Sequence, residues 1–441
     1  MENINPWTSR FEPILDSAEI VRRVKLMPSP VNGLEELPVE LACTTLKNTL
    51  EGVFIPTTQG VSILQRWFGI AYSHSVITYP DKKAFQEGIY SQEKPLPDFS
   101  YPICFSGLAG LGKSELVKAF QRLQPLASEV YIETEHSIFP LKSSWRVTVN
   151  SSASPRDILS AIVGYDDTLR NLKAEARGLA FRDGIPIMFV DELQFATQSS
   201  TANTQITKML FSVSYIGIPF VFLSNFSLLN KLMARPQEDK QRLLSDPIVL
   251  LPDTAESDDW LKLLFAYQEV APKIMCFDLN RDSKTIHRFT AGIKRALVSL
   301  LIIAYRISRN FDGKITIREI EHAYQSPEYT VNRRDTEAIA YQIIKGEKFP
   351  HRDDLWCPID LPKTFQQKTE QSFIEEHSKR EAEGKLIASF TPEERKGYKS
   401  LVKSQENQNI VKNVIPINTK IPLTAKKLTD DAKWFNDNYE K

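Results

Sequence analysis

The octapeptide "GLAGLGKS" spans residues 107–114 and follows directly on the apolar run Ile103-Cys104-Phe105. It matches the pattern G-x-x-x-x-G-K-S/T, a loop whose backbone N–H groups converge on a phosphate. Gly107, Gly110 and Gly112 give the backbone angles that such convergence needs and most residues avoid. The stretch that follows, "KSELVKAFQRL", reads as a helix, and a helix N-terminus favours an anion. In this reading Lys113 reaches the β- and γ-phosphates and the Ser114 hydroxyl ligates Mg²⁺. Leu111 and Glu115 complete the nucleotide-binding stretch, and the expected cofactors are ATP and Mg²⁺.

The same pattern extends outward from the loop. After "YPICFSG" (101–107), four further runs have strand length: "WRVTVNS" (145–151), "IPIMFVDE" (185–192), "IPFVFLSN" (218–225) and "DPIVLLP" (246–252). They are rich in Val, Ile and Phe on both faces and are bounded by Gly, Pro, Asn or Asp, which predicts a parallel sheet covered by helices. The third run ends in Asp191-Glu192. One carboxylate, Asp191, is assigned to the metal, and the other, Glu192, to orienting or deprotonating the attacking water. Asn225 at the tip of the fourth run can contact the γ-phosphate, or it can cap the helix that follows. Arg295, in "TAGIKRAL", can reach the γ-phosphate from a helix start, or lie on the surface.

Four regions are expected: an accessory region at 1–100, an α/β core at 101–255, a small all-helical lid at 256–326, and an extension at 327–441 that is partly extended or disordered. In the first region, 60–73 has helical spacing, whereas 81–102 reads as a polar connection. In the last, "NRRDTEAIAYQIIKGE" can be a helix, "DDLWCPIDLPKTF" cannot, and "EQSFIEEHSKREAEGKL" reads as a solvated helix.

Bulk composition sets limits. The 441 residues are 42% hydrophobic and 25% charged, ordinary for a globular protein of several domains. Lys and Arg total 55 and balance 55 Asp and Glu, so any grip on nucleic acid must come from a local patch or from one repeated around an oligomer. The four cysteines form no C-x-x-C pair, which points to reduced thiols and a cytoplasmic setting. The N-terminus reads as no signal peptide, and "ALVSLLIIAY" (296–305) is too short to span a membrane.

The order of these elements resembles the AAA+ ATPases. More narrowly, "IPIMFVDELQFATQ", "KMLFSVSYIGIPFVFLSN" and "FTAGIKRALVSLLIIAYRISRNFDGKITIREIEHAYQ" resemble the TnsC family of transposition regulators, with TniB and MuB as more distant kin. The resemblance covers about 101–326. Phe195 stands where the family often has His, and "FLSN" lacks its usual Gly-Thr or Gly-Asn pair. The resemblance implies an ATPase that assembles as a ring or filament on duplex DNA, largely without regard to sequence. It implies that this assembly links a target-selector protein to a transposase, and that hydrolysis remodels or disassembles it. It also implies an arginine acting on the neighbouring subunit's nucleotide; Arg235 and Arg242 are the candidates, with Arg242 preferred. DNA contacts are expected between the second strand and Asp191, from Ser154, Arg156, Arg170 and Lys173. The flanking regions become docking surfaces, with Trp67, Phe68, Trp356 and the closing "WFNDNYEK" as anchors, although local packing is the preferred reading for Trp67 and Phe68. The rival readings are a helicase loader or replication initiator of the same class, and an ATP-bound scaffold without useful turnover.

Overall fold

Five apolar runs become strands of one sheet, and the three central ones bury both faces. The computed structural model describes residues 5–11, 14, 16–124, 128–132, 137–149, 154–193 and 202–360. Its strands are β1 (Pro102–Gly107), β2 (Ser128–Ile132), β3 (Ser137–Leu141), β4 (Trp145–Thr148), β5 (Met188–Asp191), β6 (Phe220–Leu223) and β7 (Asp246–Leu250). The main sheet has the order β4-β5-β6-β1-β7, and every pairing in it is parallel. All five are the runs read from the sequence. β1, β5 and β6 are buried along their whole length. Together with the helices that follow, this is the expected α/β architecture: a five-stranded parallel sheet whose first strand runs into the glycine loop, then an all-helical segment.

The antiparallel hairpin β2–β3 was not expected. Only one face of it is covered: Val130, Ile132 and Leu141 are buried while Tyr131 and Ile138 are exposed. It lies in the connection between the phosphate-loop helix (Lys113–Leu123) and β4.

The region ahead of β1 packs directly on the sheet. A helix runs from Thr58 to Thr78, between Pro56 and Pro80, with the Thr57 hydroxyl accepting from the Gly60 N–H at 3.0 Å. Its Trp67 meets Phe105 of β1 and Phe189 of β5 edge-on, both at 5.1 Å between ring centres. Phe68 stacks on Phe120 of the phosphate-loop helix at 4.2 Å. Neither side chain has any exposed surface, so Trp67 and Phe68 are core residues and not docking anchors. The 81–102 stretch is also corrected, for it holds a helix at Lys82–Tyr90, capped by Asp81. Phe85 is its main apolar anchor, buried against Trp7, Tyr79 and Phe181. Phe85 is the one large side chain buried among these nine residues, while Tyr90 is exposed, which leaves too weak a period to read.

Arg10 ties the start of the chain down. It is buried, and its guanidinium donates to the carbonyls of Lys142 at 2.8 Å and Gly184 at 2.7 Å. Burial pulls its pKa down to about 10.

The lid comprises helices Asp258–Val270, Leu279–Thr290, Lys294–Ser308 and Ile317–Gln325, and a further helix follows at Thr330–Lys345. Ser257 caps the first, and Thr316 with Glu319 forms a capping box on the fourth. The apolar run 296–305 is the middle of Lys294–Ser308 and is buried at nearly every position. No helix among the described residues is long and apolar enough to cross a membrane. Residues 361–441, with the solvated helix, the extended tail and the closing aromatic anchors read there, lie outside the described residues.

Replacing Trp67 with Ala removes an indole wedged between two strands and a helix. The expected loss is about 3–5 kcal/mol of stability, measured by urea denaturation.

Candidate functional site

The parallel sheet brings the carboxyl ends of β1, β5 and β6 to one edge. β6 lies between β1 and β5, so the tip of β6 separates the phosphate loop from Asp191. A cleft of about 820 Å³ opens there. Gly110, Gly112, Lys113, Ser114, Glu115, Asp191, Glu192, Asn225 and Arg295 all line it. Gly107, Leu111 and Arg242 do not.

The loop takes its shape from two positive φ angles, +84° at Gly110 and +97° at Gly112. A side chain at Gly110 would also sit 2.8 Å from Cβ of Arg295. The Lys113 ammonium donates to the carbonyls of Gly107 at 2.9 Å and Leu108 at 2.8 Å. Burial, with the Arg295 charge adding to it, pushes its pKa down to about 8, and Asp191 and Glu192 only partly restore it. This ammonium is short of anionic partners. Gly107 plays a packing part, since a Cβ there would lie 2.6 Å from the Leu250 carbonyl oxygen of β7. Leu111 is buried behind the loop, against a small cavity that it shares with Lys294.

Asp191 is nearly buried and held on both oxygens. Its Oδ1 accepts from the Ser114 hydroxyl at 3.3 Å and from the Glu192 N–H at 2.9 Å. Its Oδ2 accepts from Arg146 of β4 at 2.8 Å. Glu192 has φ +61°, a left-handed conformation that few non-glycine residues adopt. Strain of this kind clusters at functional sites. Asn225 caps the helix Phe226–Met233, its Oδ1 accepting from Leu228 N–H at 3.1 Å and the Ser227 hydroxyl at 2.7 Å. Its amide N–H₂ makes no hydrogen bond among the described residues. Capping and lining the cleft are therefore compatible at this position.

The lid is tied to the loop by main chain, because Arg295 N–H donates to the Gly110 carbonyl at 3.2 Å. Lys294 lines the cleft beside Arg295, and burial lowers its pKa against the opposing pull of Asp253 and Asp259. The other end of the cleft is apolar, walled by Leu26, Phe54 and Ile55 from the N-terminal region and by Leu263, Tyr267 and Val298 from the lid. Arg122 lies over the Phe54 ring at 5.0 Å. Sequence reading missed this wall, along with Lys294 and Arg146. The wall residues are scattered through regions with no motif; Arg146, a lone charge inside an apolar strand, was the one visible signal.

The expected arginine and DNA residues lie elsewhere. Arg235 is paired with Asp239 at 2.8 Å, while Arg242 is exposed and makes no hydrogen bond or ion pair among the described residues. Arg156 grips Asp166 with two bonds of 2.7 Å. Ser154 is in a capping box with Asp157, which fills that helix N-terminus with the chain's own carboxylate. Lys173 lies over the Tyr215 ring at 5.2 Å, and Arg170 is exposed. Trp356 is half-buried, its carbonyl accepting from Asn230 at 3.1 Å.

Lys113 gives the fold a pH dependence. Unfolded, it titrates near 10.5; folded, near 8. Between those values the unfolded chain binds more protons, so the Lys113 contribution to stability rises with pH, by about 3 kcal/mol at most. Urea denaturation from about pH 7 to about pH 10 is expected to show a rise that Lys113→Met removes.

No protein-family model matches the sequence, and no curated protein matches it. The fold is similar to several solved structures. One is the Aeropyrum pernix Orc1 protein in complex with DNA, at 16% identity and TM-score 0.35, over 60% of this chain and 66% of that one. This chain thus spans a little under two thirds of the Orc1 chain. Another is domain III of the Thermotoga maritima replication initiation protein DnaA, at 14% identity and TM-score 0.32, over 56% of this chain and 92% of that one. A third is PCH-2 of C. elegans, at 12% identity and TM-score 0.35, over 64% of this chain and 70% of that one.

Proposed function

We propose that the chain is an ATP-hydrolysing, self-assembling regulator of DNA transposition of the TnsC type, working on duplex DNA. The observation that carries the ATPase part is the convergence of Lys113, Ser114, Asp191 and Glu192 in one cleft with the lid's Arg295 against the loop. The cleft fits a nucleotide with its metal. Gly110 and Gly112 open the loop backbone, Lys113 is a cation short of anions, and a hydroxyl and a carboxylate stand 3.3 Å apart at Ser114 and Asp191. The described residues hold no cluster of three or more His, Cys, Asp or Glu that would bind a metal by itself. That suits a cation held jointly by one hydroxyl, one carboxylate and phosphates.

Mg²⁺, when bound there, offsets charge on the phosphates. The chain's own residues do the rest. Lys113 and the loop N–H groups bind the phosphate tail. The Leu26, Phe54 and Tyr267 wall takes the base. Glu192 orients a water and accepts its proton, and the Asn225 amide has donors to fix that water or the terminal phosphate. Arg242, exposed and unpartnered among the described residues, is the group we assign to a neighbouring subunit's site. An active site completed by a second copy makes hydrolysis depend on assembly. Orc1 has been solved with DNA. For this chain, contact with duplex DNA, a selector protein and transposase subunits follows from the sequence resemblance, and among the candidate DNA residues Arg170 is exposed with no partner shown.

Electron microscopy with duplex DNA and a slowly hydrolysed ATP analogue tests the reading. Rings or filaments on DNA of any sequence are expected. Monomers on bare DNA would defeat it, and assembly confined to one DNA sequence would favour a replication initiator. Lys113→Ala is expected to weaken nucleotide binding about 100-fold or more and to abolish assembly, as read by fluorescence anisotropy and light scattering. Glu192→Gln is expected to bind normally, lose turnover by about 100-fold or more, and leave assemblies that persist. Arg242→Ala is expected to lower turnover only at concentrations where the wild type assembles.

A further inference from the structure

β4 carries one charged residue, Arg146, between Trp145 and Val147. The register sets Arg146 opposite Phe189 and Thr148 opposite Asp191 on the neighbouring parallel strand. Partners in a parallel ladder share a face, so Arg146 and Asp191 lie on the same side of the sheet. The guanidinium spans the two-residue offset and ends 2.8 Å from Asp191 Oδ2. The Asp191 side chain is only 5% exposed and that of Arg146 24%. Arg146 Nε is buried with no hydrogen-bond partner among the described residues, an unfavourable condition that the pairing with Asp191 must outweigh. Arg146 does not line the cleft, whereas Asp191 does. The arginine therefore stands behind the carboxylate, opposite the Ser114 hydroxyl on Oδ1.

We propose that Arg146 is a fixed counter-charge that prevents Asp191 from holding a divalent cation by itself, so that metal enters and leaves the cleft only with the nucleotide's phosphates. This rests on the reading of the cleft as a Mg²⁺-nucleotide site. A buried carboxylate next to a hydroxyl is half of a cation site. A guanidinium within hydrogen-bond distance cancels its charge and repels a second cation across a few ångströms of protein. Phosphates restore the negative charge the site lacks. Arg146 is thus a positioning residue that acts through Asp191 and sets the order of binding.

The test reads binding, not turnover. Mn²⁺ is titrated into full-length protein without nucleotide, followed by electron paramagnetic resonance. Binding of a fluorescent ATP analogue is then followed against Mg²⁺. Wild type is expected to bind no Mn²⁺ at submillimolar concentration and to bind the analogue with a clear Mg²⁺ midpoint. Arg146→Met is expected to bind Mn²⁺ without nucleotide and to lower that midpoint by about tenfold or more. Arg146→Lys keeps the charge and is expected to behave as wild type, and adding Asp191→Asn to Arg146→Met is expected to abolish the Mn²⁺ binding. An unchanged midpoint in Arg146→Met overturns the proposal while leaving the nucleotide site intact. If Arg146→Met does not fold, the wild-type arm decides, because Mn²⁺ held by Asp191 without nucleotide overturns it equally. Wild type that binds no analogue at any Mg²⁺ concentration overturns the nucleotide reading and this inference with it.

Discussion

A lysine ammonium buried against backbone carbonyls, with burial outweighing the pull of the nearby carboxylates, is the constraint around which this molecule is arranged. Lys113 faces two backbone carbonyls, feels Arg295 from the lid, and has carboxylates close enough to help but not to satisfy it. The position follows from the sheet. β1 is flanked on both sides by parallel neighbours, so its carboxyl end cannot shift, and the glycine loop must turn where β1 stops. What would relieve the lysine is a polyanion, and the loop shape that admits one is the same shape that leaves the lysine in want of it.

The cleft is built from three stretches of sequence far apart. Its polar end comes from the core, and its apolar end comes half from residues 26–55 and half from the lid. Because the Arg295 N–H bonds to the Gly110 carbonyl, any movement of the lid start is felt by the loop backbone directly. A ligand spanning both ends would touch all three stretches at once. That is a sound physical basis for linking occupancy to the attitude of the lid.

Much of this was legible before any coordinates. The central strands announced themselves because burial on both faces produces runs of apolar residues, the edge strands because they keep part of that pattern, and the glycine loop because few other sequences allow its backbone angles. The lid helices showed their caps and their period. The hairpin at 128–141 was hidden because half of its side chains are exposed, as were the Phe85 helix and the way residues before 100 fasten onto the sheet. Those contacts pair Trp67 with Phe189, and Arg10 with the Gly184 carbonyl, across more than a hundred positions. Local patterning carries no record of such partners. Arg146 failed for a related reason: a single arginine in a strand says that something opposite must answer it, but not what.

The Arg10 clamp and the Trp67 wedge have a consequence for biosynthesis. Residues 5–90 emerge from the ribosome ahead of the surfaces that cover their aromatic side chains, which lie on β1, β5 and the helix ending at Arg182. At ordinary elongation rates the early segment waits on the order of ten seconds with its tryptophans and phenylalanines uncovered. The growing chain is therefore a natural client for holding chaperones during that interval. Removing residues 5–90 would strip the sheet of the Thr58–Thr78 helix that packs on it through Trp67.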